Sequence, residues 1–151
     1  MAVKRNRGFT LLEVMIVCVI VGILAAIVLP AYQSQVRKGN RSAAEQFMQD
    51  VATLEQQIML DSRLYVAVAD GNFGLSPSAS PGGVGKAQPL TTSGKYTYAV
   101  TVDNTATPPT FTITATAQNS QDADPNLHIL TLDEKGNRVT KNSGGTVTGS
   151  W

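Results

Sequence analysis

The sequence predicts an α+β fold: a long N-terminal helix packed by its second half on a small antiparallel β-sheet. Three observations predict it. An apolar run without charge or proline extends from Val14 to Leu29. Ala44, Phe47, Val51, Leu54 and Ile58 then recur at steps of three and four, the spacing of one helix face. The C-terminal half carries segments in which apolar and polar residues alternate with a period of two, the strand signature.

The first helical element is Phe9 to Leu29. At roughly 1.5 Å per residue it is about 31 Å long, which matches a bilayer hydrocarbon core of about 30 Å. Leu, Ile, Val and Ala stand at every angle, so no polar face remains and the segment suits lipid or a protein core rather than a surface. Pro30 follows. A helix can continue through it only by losing the bond to the Ala26 carbonyl. The stripe from Ala44 to Ile58 then has Glu45, Gln49, Asp50, Gln56 and Gln57 mostly off its apolar face. The expectation is one long helix to about Leu64, bent near Pro30 and at the soft Gly39-Asn40 pair.

Residues 66–94 are rich in Gly, Pro and Ser and read as irregular. Lys95 to Val102 places Tyr96, Tyr98, Val100 and Val102 on one face. Thr110 to Ala117 places Phe111, Ile113, Ala115 and Ala117 on one face and four threonines on the other. Leu127 to Leu132 is a third strand, Asp133 to Asn137 a hairpin turn, and Arg138 to Lys141 the return. The tail to Trp151 reads as turn-like. A sheet with one apolar face needs a cover, and the stripe on the helix is the candidate for it.

Charge is distributed unevenly. The first eight residues hold Lys4, Arg5 and Arg7 and no acid, and the remainder has nine Lys and Arg against eleven Asp and Glu. Cys18 is the single cysteine, so no intramolecular disulfide can form. It reads as a small apolar residue of the helix. His128 has no Cys or His nearby to build a metal site. Residues 81–86, PGGVGK, lack the pattern of a phosphate loop. Asp122-Ala123-Asp124 is a weak hint of a Ca²⁺ site, and Asn40-Arg41-Ser42 has the form of a glycosylation sequon. Tyr96 and Tyr98 read as sheet packing. No catalytic set, paired carboxylates or cofactor motif is present, so the reading is a non-enzyme with no cofactor and no metal.

Residues 4–39, KRNRGFTLLEVMIVCVIVGILAAIVLPAYQSQVRKG, resemble the N-terminus of type IV pilins. The family's processing motif matches Gly8, Phe9, Thr10, Leu11, Leu12 and Glu13 position for position. The resemblance implies a pilin fold and cleavage between Gly8 and Phe9 on the cytoplasmic side. It further implies N-methylation of Phe9 and retention of the apolar segment as membrane anchor and filament core. An ordinary secretory signal is cut after its apolar region, and no small-x-small site follows this one. Lys4, Arg5 and Arg7 favour a cytoplasmic N-terminus. Glu13 at the edge of the span needs a partner. The resemblance implies that this partner is the Phe9 amine of a neighbouring subunit, which sets register during assembly. Gly22 and Pro30 match positions where related filaments lose regular helix.

The implied divisions are a cleaved leader 1–8, a transmembrane or filament-core helix 9–30, an amphipathic helix 31–65, and a loop-plus-sheet head 66–151. The implied partners are other pilins, the prepilin peptidase and an inner-membrane assembly platform. The implied location is the inner membrane and then an extracellular pilus, in a Gram-negative bacterium. Residues 31–67 and LTLDEKGNR, 130–138, with Trp151, resemble the PilE-type minor pilins. Their two head cysteines are absent here, since neither the neighbourhood of Leu127 nor Ser150 supplies one. Two alternatives are a DNA-uptake minor pilin and a type II secretion pseudopilin. DNA is not favoured by charge: from residue 66 onward five Lys and Arg face six acids.

Overall fold

The computed structural model describes residues 9–79, 82–123 and 127–151. These fall into two compact units, one ending at Val36 and the other spanning Arg37–Trp151. Helix α1, Leu11–Ser62, contributes to both. It continues through Gly22, Pro30 and Gly39. Proline at position 30 removes one hydrogen bond, and the helix runs unbroken on either side of it. The helix stops two residues before the expected Leu64. Arg63 adopts a left-handed φ of 60° while its N–H still donates to the Met59 carbonyl at 2.9 Å, a helix-ending geometry.

In the second unit the chain forms a five-stranded antiparallel meander in the order β1-β2-β3-β4-β5. The strands are β1 Tyr96–Asp103, β2 Thr110–Ala117, β3 Ile129–Asp133, β4 Arg138–Lys141 and β5 Val147–Gly149. In the β1–β2 register Tyr98 faces Ala115 and Val100 faces Ile113; in β2–β3, Ile113 faces Leu132 and Ala115 faces Leu130. Every period-two residue named from the sequence thus lies on one face. The turn between β3 and β4 closes on Asp133, whose Oδ1 accepts the N–H groups of Lys135 and Asn137. Burial alone would raise the Asp133 carboxyl, but hydrogen bonds from Asn137 and Lys135 outweigh it and hold the group below its ordinary range.

Two expectations are corrected here. The tail is not merely turn-like: Thr140 pairs with Gly149 and Lys141 with Val147, which makes β5. A turn in which Asn142 N–H donates to the Thr146 carbonyl returns the chain. The helix stripe also differs. Ala44, Phe47, Met48, Val51 and Glu55 are buried, whereas Leu54 and Ile58 are only partly so. The buried line advances by three, one, three and four residues, so its axis lies to one side of the line through Leu54 and Ile58.

Phe47 joins helix to sheet. Its ring meets Tyr98 edge-on at 4.8 Å and Phe73 at 5.4 Å. Phe73 comes from the segment read as irregular, which also sends Val68 and Val84 into the core. That segment folds tightly: Val84 and Lys86 N–H groups both donate to the Phe73 carbonyl, and Gly85 donates to Leu75. A Cβ on Gly83 would collide with the carbonyl oxygens of Asn72 and Leu75, so glycine is required there.

Candidate assembly site

The candidate site is built on the start of α1. Thr10 precedes the first helical residue and its Oγ1 accepts the Glu13 N–H at 3.2 Å. A Thr at the N-cap with Glu three residues later is the capping-box pattern, and it fixes where the helix begins. Glu13 therefore lies in the first turn, where the helix dipole favours an anion. It is the one charged residue between Phe9 and Val36. Among the described residues it has no ion-pair partner. Phe9, immediately before the cap, is 80% exposed.

From Phe9 to Pro30 every residue is exposed except Ala25, which is half-buried. Large apolar side chains along this run, from Leu11 to Leu29, each keep more than half of their surface open. Transfer of apolar area out of water is favourable at about 25 cal/mol per Å². Covering a helix that is bare around its whole circumference is therefore favourable. The helix is long and apolar enough to cross a membrane. Gly22 has open space where a side chain would stand, Pro30 is exposed, and Cys18 is exposed on the same run. The structure thus gathers Phe9 and Glu13 within one capped helix start. Gly22 and Pro30 lie further along the same helix. Gly8 lies outside the described residues, as does Asp124 of the Ca²⁺ hint.

The second unit shows where the remaining candidates stand. Tyr96 and Tyr98 are buried in the sheet, and burial pushes the Tyr98 phenol up to about 12. His128 contacts the Asp122 carboxylate. The described residues contain no cluster of three metal-ligating side chains. The Asn40 side chain donates to Gln121 Oε1 at 3.4 Å, and Gln121 Nε2 donates to the Arg37 carbonyl at 2.9 Å, so Asn40 is tied to a tertiary contact. Among the described residues Lys86 pairs with Asp50, Arg41 with Glu45 and Lys135 with Glu134. Trp151 lies under the Arg138 guanidinium, 5.1 Å from the ring centroid. It also lines a cavity of about 430 Å³ with Lys38, Arg41, Ser42 and Glu45.

Residues 3–29 match the model of the prokaryotic N-terminal methylation motif. Residues 30–126 match the model of the family described as type IV minor pilin ComP, DNA uptake sequence receptor. The chain belongs to the type IV minor pilins. Relatives of this minor pilin include the type IV major pilin protein PilE1 of Neisseria gonorrhoeae. It is 40% identical over 100 residues, which are 66% of this chain and 41% of that one. A fimbrial protein of Pseudomonas aeruginosa is 33% identical over 97 residues, 61% of this chain and 63% of that one. The type II secretion system core protein G of Dickeya chrysanthemi is 38% identical over 71 residues, 45% of this chain and 44% of that one. The chain spans about two-fifths to three-fifths of the length of these relatives. No solved structure matches it at a significant level.

Sequence reasoning about this minor pilin missed two residues. The Thr10 cap was legible in the Thr-x-x-Glu spacing before an apolar run. Glu55, buried at the helix–sheet contact, carried no such signal, because a Glu in a helix ordinarily reads as solvated.

Proposed function

We propose that the chain is a filament subunit held first in the inner membrane. Its leader is cut between Gly8 and Phe9 by the prepilin peptidase, and the freed Phe9 amine is methylated. The assembly platform then moves the helix from lipid into a filament of pilins. The observation that carries this reading is the apolar helix, exposed on all sides, with Glu13 as its sole charge. Lipid covers that surface in storage and neighbouring helices cover it in the filament. Glu13 in that core needs a cation, and the Phe9 ammonium of an adjacent subunit supplies one. Gly22 and Pro30 are the places where the helix gives up regular bonds with least loss as subunits pack. Mass spectrometry of protein from sheared filaments tests the processing. The expected N-terminus is a methylated Phe9, and recovery of only the intact Met1 form refutes it.

A second reading, that the head receives DNA, has one specific support: the family matched over residues 30–126 is described as a DNA uptake sequence receptor. The balance of acids and bases in the head argues against a broad phosphate-binding stripe, and the pairing of Lys86 and Arg41 with carboxylates reduces it further. Gel-shift titration of the full chain in detergent against duplex DNA decides it. A DNA receptor binds with an affinity that falls steeply with salt; no shift at low salt removes the reading.

A further inference from the structure

Glu55 lies on the face of α1 turned to the sheet and has no exposed surface. Its Oε2 accepts the Val66 N–H at 3.0 Å. Val66 is in the segment that leaves the helix, so the carboxyl group ties that segment back to the helix. Its Oε1 is equally buried and has no hydrogen-bond partner. Among the described residues no Lys, Arg or His pairs with it. Of the groups around it, the exit segment contributes the Tyr65 phenol, and the β3–β4 turn contributes Glu134, which acts on that phenol as Glu55 does. Neither brings a positive charge to Glu55.

The same segment is pinned at two other points. Asn104 accepts the Tyr65 N–H at 3.0 Å and donates to the Tyr65 carbonyl at 3.0 Å. Val68 exchanges two backbone hydrogen bonds with Val100, at 3.1 and 2.8 Å. The Tyr65 ring meets Phe111 edge-on at 4.8 Å. A connection of this kind binds the end of α1 to the edge strand β1 and to the β1–β2 turn.

We infer that Glu55 is a proton-operated latch on residues 63–68, closed by its neutral carboxyl group and loosened when that group ionises. The neutral form leaves one hydroxyl without an acceptor, a cost of about 1–3 kcal/mol. The ionised form leaves a charge in a buried site with one protein donor and no cation among the described residues, which costs more. Water can relieve that charge only by reaching Oε1, and the cover bonded directly to the carboxyl group is the segment carrying Val66. Burial therefore outweighs the Val66 hydrogen bond and pushes the group up to about 7. The sign follows. Between about 4.5 and 7 the folded chain keeps a proton that the unfolded chain has released, so stability falls as pH rises through that window and levels off above it.

The test uses the full chain in detergent micelles, unfolded by denaturant at pH 5 to 8, beside Glu55→Gln. Glutamine retains the shape and the acceptor for Val66 but cannot ionise. The expected rise in the wild-type unfolding constant from pH 5 to 8 is on the order of 50- to 100-fold, against less than about threefold in Glu55→Gln. Hydrogen exchange should show protection lost at Val66 before the β2 amides. Parallel pH responses in the two proteins overturn the inference, as does simultaneous loss of protection at Val66 and in β2. If the variant does not fold, the ¹³C carboxyl resonance of Glu55 in the wild-type chain carries the test, and titration near 4.5 overturns the inference.

Discussion

The two halves of α1 are built from similar apolar residues and meet opposite fates. In the unit ending at Val36, Val19 is 61% exposed and its neighbours are alike. In the unit from Arg37 onward, Phe47 is 2% exposed and Val51 has no exposed surface. The difference lies in pattern rather than in hydrophobicity. The first half is apolar at every angle, so no single sheet face could cover it. The second half confines its apolar residues to one stripe, which five strands and the 66–94 segment can cover. A helix apolar all round asks for partners outside its own chain, whereas a striped helix is satisfied within it.

That contrast can be broken by truncation. Phe47→Ala removes a ring packed against Tyr98 and Phe73 and is expected to cost about 3–5 kcal/mol of unfolding free energy. Denaturant titration of the full chain in detergent measures it, and a loss below about 1 kcal/mol would mean that the stripe is not the fold's anchor. Val19→Ala, measured the same way, is expected to change that value by less than about 0.5 kcal/mol. A comparable loss at both positions would erase the distinction between the halves.

The fold was largely legible because the helix stripe and strands β1 and β2 announced themselves by period. The strands alternate at two and the helix stripe repeats at three and four, and both fix which residues are inside. What was not legible depended on contacts made across the sequence. Phe73 and Val84 sit in a segment full of glycine and proline, and local chemistry there speaks for turns, not for core. The β5 pairing rests on Gly149 and Val147 meeting β4, and a three-residue edge strand has too short a pattern to read. Leu54 and Ile58 fit the helical period but lie beside the buried line, because only the sheet decides where that line falls. At the candidate site, Phe9 and Glu13 were legible from a motif. Glu55 was not, since its burial depends on where Val66 returns.

We propose that the first half of α1 is completed by other subunits and that Glu13 supplies the one charge that sets their register. Glu13→Ala, expressed beside wild-type partners, tests it most directly. The processed protein in membranes is compared with that in sheared filaments. The variant keeps Gly8, Phe9 and the whole apolar helix, so insertion and cutting are expected to continue. Removing one member of a buried ion pair costs about 3–5 kcal/mol, so its share of filaments should fall by more than about a hundredfold. A variant that is cut normally and enters filaments at the wild-type level would contradict the claim.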